Sequence, residues 1–108
     1  MLQNNFSIIT GDFNIPSGGD LYQHFISNSG FIDSFQGKHI TTYHKEFLPP
    51  DRNPQCIDYI FIHTNDKKEA SIQQTSLFLQ DKNILSNGEQ TYPSDHIGLL
   101  MRCQINIL

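Results

Sequence analysis

A chain of 108 residues, 37% of them hydrophobic, is at most one domain and is long enough to bury a core. Its net charge of −4, with Lys45, Arg52, Lys67, Lys68, Lys82 and Arg102 scattered, offers no basic stripe and gives no indication of tight nonspecific binding to nucleic acid, although a nuclease whose binding surface lies elsewhere stays open. No run approaches transmembrane length, Met1 to Asn5 is no signal peptide, and Cys56 and Cys103 have neither zinc-site nor redox-pair spacing.

Phe6 to Thr10 is a short β-rich run ended by Gly11, which places Asp12 at the mouth of a strand. Pro16 to Gly19 is a loop. Asp20 is expected to cap a helix that carries Leu21, Tyr22, Phe25 and Ile26 at helical spacing and stops at Asn28-Ser-Gly30. Phe31 to Phe35 continues as an apolar connector. Ile40 to Tyr43 can form a short strand, and Pro49 to Pro54 is an irregular loop. Cys56 to His63 is the clearest strand. Ile57, Tyr59 and Phe61 share one face, Asp58, Ile60 and Ile62 the other, and both faces are mainly apolar, as in a strand covered on two sides. Asn65 to Glu69 turns the chain, Ser71 to Leu79 is a further strand, and a polar stretch leads to Tyr92-Pro93. From His96 a closing strand runs through Ile97 to Ile107. Cys56 and Cys103 both lie beside apolar strands, where cysteine behaves as a small hydrophobe, so two free thiols are expected; the two could meet only if their strands are neighbours. The fold class is α+β, mostly antiparallel sheet with one main helix.

Three acidic motifs punctuate these runs: Gly11-Asp-Phe-Asn14, Ile57-Asp-Tyr-Ile-Phe61 and Ser94-Asp-His96. A lone buried carboxylate is costly unless it is paired or bound to a metal. Three of them, with an asparagine and a histidine alongside, read as one assembled site for metal-assisted attack on a phosphate ester. Asp12 and Asn14, two apart on an extended backbone, would project to one side roughly 6 to 7 Å from each other, with Phe13 pointing inward. A plain Asx turn at a strand end is the other reading of this motif. Asp58 can accept a hydrogen bond from His96, fixing its tautomer and favouring the imidazolium, or can simply cap a neighbouring loop. His96 can donate to a phosphate or a leaving oxygen, and Asp95 can ligate a divalent cation or orient the ring; an exposed loop pair is the alternative. His24, His39, His44 and His63 show no ligand spacing.

In this order the motifs resemble the C-terminal half of the endonuclease/exonuclease/phosphatase superfamily. That group includes pancreatic deoxyribonuclease, abasic-site endonucleases, inositol polyphosphate 5-phosphatases and neutral sphingomyelinases. The resemblance spans nearly the whole chain: Pro16, the Leu21 to Gly30 helix, Gly30-Phe-Ile-Asp33 and Thr42-Tyr43 fit the segments between the motifs. It implies a four-layer αββα sandwich of which residues 1–108 form the C-terminal portion. It also implies that Asp12 orients or deprotonates the attacking water and that Asn14 holds that water and a phosphoryl oxygen. Asp58 would pair with His96, which stabilises charge on the phosphate, while Asp95 contributes to the metal site or supports the histidine. The implied cofactor is Mg²⁺ (or Mn²⁺), with Asp12 and Asp95 as metal ligands and oxygen donors suited to a hard cation.

The family's N-terminal half supplies its principal metal-ligating glutamate, and only eleven residues precede Asp12. The chain is therefore expected to carry about half of a site and to show no appreciable activity alone. Its two-faced strand is expected to need a missing N-terminal half, or self-association, to cover the sheet. The substrate implied is a phosphodiester. The Tyr92 to Leu99 stretch, with Gly98, resembles sphingomyelinase-like and some deadenylase-like members, which leaves a sphingomyelin-like phospholipid or a nucleic acid. A non-catalytic remnant or interaction module, retaining the fold without a complete metal site, is the competing reading.

Overall fold

The computed structural model describes residues 6–36, 38–65 and 70–106. Its elements follow the order β1 (Phe6–Asp12), α1 (Asp20–Ser29), β2 (Ile32–Asp33), a single 3₁₀ turn (Lys45–Phe47), β3 (Asp58–Thr64), β4 (Ala70–Phe78), β5 (Asn83–Ile84), β6 (Gln90–Thr91) and β7 (Gly98–Ile105). Among the described residues this is an α+β arrangement of antiparallel strands and one α-helix.

Strand β3 is the centre of a three-stranded sheet in the order β1-β3-β2. It pairs antiparallel with β1 along its whole length, from Phe6 opposite Thr64 to Asp12 opposite Asp58. That register brings the first two acidic motifs face to face. On its other side β3 pairs with β2, Ile32 lying opposite Ile62 and Asp33 opposite Phe61. Strands β4 and β7 form a second antiparallel pair, and β5 and β6 form a small hairpin. Phe78 lies opposite Gly98 in the β4–β7 pair, and its ring covers the space that a side chain at Gly98 would occupy.

Helix α1 begins after Gly19, which takes the cap position in an extended conformation without a side-chain bond, so Asp20 is the first helical residue and not the cap. Its carboxylate still favours the helix start electrostatically. Gly30 ends the helix at φ +78, a left-handed conformation, and a Cβ there would come within 3.1 Å of the His63 ring. Tyr22, Phe25 and Ile26 pack on the core formed by Cys56, Tyr59 and Phe61, together with Phe13, Phe31 and Ile40. Leu21 is exposed and does not join the apolar face assigned to it from the sequence. The core is aromatic: Phe61 lies 5.3 Å from Phe13, 4.8 Å from Phe25 and 4.8 Å from Tyr59 between ring centroids. Such pairs each add about 0.5–1.5 kcal/mol beyond the area they bury.

Several boundaries differ from the sequence reading. Strand β1 runs on through Gly11 to Asp12, the connector Phe31 to Phe35 contains β2, and β3 starts at Asp58 rather than Cys56. Ile40 to Tyr43 makes no strand; Tyr43 forms an isolated bridge to His96. Strand β4 ends at Phe78 because Leu79 adopts φ +61, and the closing strand starts at Gly98, two residues after His96. The polar stretch before Tyr92 contains the β5–β6 hairpin. The closing strand ends at Ile105, ahead of Asn106, short of the Ile107 expected, and the turn assigned to Asn65 to Glu69 lies, apart from Asn65, outside the described residues, as do Met1 to Asn5.

The structure is elongated and open. Its radius of gyration is 16.7 Å, against about 13 Å for a compact domain of this length. Its accessible surface is 7840 Å², whereas a compact monomer of 12.4 kDa exposes about 6,100 Å². Neighbouring residues of a strand point to opposite faces, yet Ile8 is 46% and Ile9 39% exposed. Strand β1 is thus only partly covered on either face, and among the described strands it is an edge strand.

Candidate active site

Asp12 ends β1, Asp58 begins β3, and His96 sits just ahead of β7. The β1–β3 register sets Asp12 against Asp58. His96 is delivered from the other sheet through its bridge to Tyr43, through the Ile97 amide bonding the Thr42 carbonyl at 2.7 Å, and through its own amide bonding Ser94 Oγ at 3.1 Å.

His96 Nδ1 lies 2.8 Å from Asp58 Oδ2. An ionised carboxylate only accepts, so Nδ1 carries a proton and Nε2 faces the open side. There Nε2 stands 3.8 Å from Asp12 Oδ2, too far for a direct hydrogen bond and close enough for both to touch one small ligand. The side chains grow more exposed along this line: Asp58 is 18%, His96 33% and Asp12 39% accessible. Burial disfavours the imidazolium, but the hydrogen bond and charge of Asp58, then the charges of Asp95 and Asp12, outweigh it and raise the His96 pKa above the ordinary histidine value. When protonated, the ring presents Nε2–H as a donor to whatever lies beside Asp12.

Asp12 and Asn14 realise the Asx-turn reading. The Asn14 amide donates to Asp12 Oδ1 at 2.9 Å, and Asn14 itself takes φ +54 rather than an extended conformation. The extended geometry expected for the pair is replaced by a tight turn, which leaves Asp12 Oδ2 aimed at His96. Phe13 points inward, edge-on to Tyr59 and Phe61, and anchors the turn to the core. The Tyr59 hydroxyl lies within hydrogen-bond reach of the carbonyls of Ile15 and Cys56 and shares its one proton between them, holding the loop that follows.

Asp95 stands apart. It is exposed, its side chain accepts from Ser94 Oγ at 3.5 Å, and its carbonyl accepts from the His44 amide at 2.8 Å. The adjacent positions 95 and 96 point in different directions, so the structure does not bring Asp95 into the Asp12–Asp58–His96 group, although its charge reaches the imidazole.

One donor atom from each of Asp12, Asp58 and His96 lies within 4.8 Å of the others, the compass of a metal site. The donor chemistry fits a hard divalent cation in part. Asp58 Oδ2 and His96 Nδ1 are engaged with each other, while Asp12 Oδ2 faces His96 Nε2 across 3.8 Å and both carboxylates line the opening. Mg²⁺ commonly takes one or two protein carboxylates and fills its octahedron with water and substrate oxygens. Among the described residues, Asp12 and Asp58 are the carboxylates placed to serve such an ion.

Beside the carboxylates runs an open cavity of about 340 Å³, bounded by Asp12, Asp58, Ile60, Ile97 and Gly98. A second, of about 360 Å³, lies between Ile32, Ile62, Ile72 and Cys103, and the described residues that line it include no carboxylate or imidazole. Both cysteines are free, and burial followed by the Asp33 charge pushes the Cys56 thiol up to about 11, so it stays neutral and unreactive. Asp33 itself is buried beneath the helix, accepting from the Tyr22 hydroxyl and the Phe35 amide, both at 2.9 Å. His44 is buried, stacked on Tyr92 with centroids 3.6 Å apart, and serves packing.

No protein-family model and no curated protein matches this sequence. A search of solved structures finds the crystal structure of an endonuclease/exonuclease/phosphatase family protein from Bacteroides thetaiotaomicron, with a TM-score of 0.68 and 21% sequence identity. The match covers 98% of this chain and 40% of that one. The chain thus shares the fold of that protein over nearly all of its own residues, and spans 40% of the longer chain's length.

Proposed function

We propose that this chain is the C-terminal portion of a divalent-metal-dependent phosphodiester hydrolase with the four-layer endonuclease/exonuclease/phosphatase fold, and that it carries one half of the active site. The observation that carries this reading is the line Asp58–His96–Asp12: a carboxylate-anchored imidazole whose free nitrogen faces a second carboxylate across 3.8 Å. Asp12 orients the attacking water and accepts its proton as the new P–O bond forms. Asn14 steadies that water and a phosphoryl oxygen from the adjoining turn. His96, kept protonated by Asp58, donates through Nε2 to the charge that gathers on the phosphoryl group while the ester P–O bond breaks. Asp95 supports the imidazolium through its charge. Mg²⁺ (or Mn²⁺), held in part by Asp12, would polarise the phosphoryl group and stabilise the leaving oxygen. The substrate class is a phosphodiester of a phospholipid or of nucleic acid, and the net charge of −4 leans toward the former.

A second polypeptide segment is part of the proposal. With two carboxylates at its opening and β1 an edge strand only partly covered on either face, the chain takes a complementary layer to complete both the metal shell and the sandwich. The competing reading, a non-catalytic remnant or interaction module, draws on the same shortage of ligands. The test is hydrolysis of a generic phosphodiester in Mg²⁺ and in Mn²⁺, by the chain alone and by the chain joined to any open frame that precedes its Met1 codon. No appreciable turnover by the chain alone, with activity in the joined protein that His96→Ala abolishes, supports the hydrolase. Turnover by the chain alone that Asp12→Ala abolishes overturns the half-site, and a folded but inert joined protein favours the remnant.

A further inference from the structure

Thr42 is fully buried, and it is hydrogen-bonded to both of the segments that carry the His96–Asp58 pair. Its Oγ1 accepts from the Ile57 amide at 2.9 Å and from the Asp58 amide at 3.2 Å, where β3 begins. Its own amide donates to the Gln55 carbonyl at 3.1 Å, and the hydroxyl is 3.5 Å from that same oxygen. On its other side the Thr42 carbonyl accepts from the Ile97 amide at 2.7 Å, and the next residue, Tyr43, bridges to His96.

The two strands concerned belong to different sheets, and within the described residues β3 and β7 do not pair. The distance between Asp58 and His96 is therefore not set by a ladder. We propose that Thr42 is a positioning residue: a clamp that fixes the start of β3 through its hydroxyl and the approach to β7 through its carbonyl, and so sets the 2.8 Å contact between Asp58 and His96. Carbonyl bonding is available to any residue, whereas holding two consecutive amides from a fully buried position takes a short side-chain acceptor. Serine and threonine supply one, and valine, of the same shape, does not. Without the oxygen the Ile57 and Asp58 amides lose their bond to position 42, and the Asp58 carboxylate moves with its backbone.

The clamp matters to the proposed hydrolase, and it rests on that reading for its purpose. Its test reads the clamp alone and leaves the hydrolytic reading to the activity assay. In the labelled full chain, the His96 Nδ1–H proton should give a downfield resonance, assigned by its loss in Asp58→Ala. The Ile57 and Asp58 amides should exchange as slowly as the Phe61 amide at the middle of β3. Thr42→Val should abolish or broaden the imidazole signal and speed exchange at Ile57 and Asp58 on the order of tenfold, with Phe61 still protected. Thr42→Ser should restore both. An unaltered imidazole resonance in a folded Thr42→Val chain overturns the proposal. Should that variant fail to fold, the parent chain decides: Ile57 and Asp58 amides that exchange freely while Phe61 is protected also overturn it, and protected amides uphold it.

Discussion

The open surface makes a quantitative prediction about association. The chain exposes 7840 Å² where a compact monomer of its mass exposes about 6,100 Å², an excess on the order of 1,700 Å². A standard protein interface takes about 800 Å² from each partner, so the excess is about two such patches. Strand β1 concentrates the problem, with Ile8 46% and Ile9 39% exposed on opposite faces of an edge strand. Fully burying an isoleucine contributes about 1.5–3 kcal/mol. Covering the remaining two-fifths or so of each side chain is then worth about 1 kcal/mol, and the pair together about 2 kcal/mol. Replacing both by lysine should remove that gain and weaken self-association about 30-fold. Sedimentation velocity across the micromolar to millimolar range is the assay. The parent chain should associate, and the Ile8→Lys/Ile9→Lys chain should remain smaller at matched concentration. A parent chain that stays monomeric throughout, or a double variant that associates as tightly, would refute the argument that the bare sheet drives contact.

Other consequences can be measured on the same protein. Asp58→Asn removes the charge that offsets burial of the imidazole, so the His96 pKa, read by NMR titration, should fall from its raised value; an unchanged titration would contradict the pairing. Because the folded-state pKa of His96 lies above its unfolded value, the pair stabilises the fold fully below the unfolded pKa, and this contribution is lost as pH rises through the folded pKa. Denaturant midpoints should therefore fall over that window in the parent and vary less in Asp58→Asn. Phe61→Ala removes the ring shared by Phe13, Phe25 and Tyr59, and should cost about 3–5 kcal/mol, a large fraction of an ordinary domain's stability. A denaturation curve within 1 kcal/mol of the parent, on the order of the error of such a curve, would mean that the aromatic cluster is not the core.

Part of the site was legible because its logic is local or chemical. The alternation Tyr59, Phe61 on a strand announced a core-facing side, and Asp58 beside large hydrophobes needed a partner that a histidine could supply; the structure provides that partner at 2.8 Å. The Gly11-Asp-Phe-Asn14 turn was read with two outcomes, and the side chain of Asp12 selected the tight one by accepting its neighbour's amide. Asp95 lies outside the Asp12–Asp58–His96 group, a separation that its place next to His96 in the sequence does not reveal. Thr42 was visible as part of a short motif, but nothing in the letter sequence shows that a threonine is wholly buried between two strands, because its hydrogen-bond partners, Gln55, Ile57, Asp58 and Ile97, lie 13 or more residues away.

By itself the sequence determined the class of fold, one helix among antiparallel strands, and the three acidic motifs that could meet. Those follow from periodicity and from the cost of leaving charge alone in apolar surroundings. Only the tertiary structure decided which of them do meet, since the β1–β3 register and the Thr42 contacts to β3 and to the approach to β7 act over long separations. The two-faced pattern of β3 already asked for a covering layer, and the tertiary structure showed that β1 is the strand left partly uncovered on both faces.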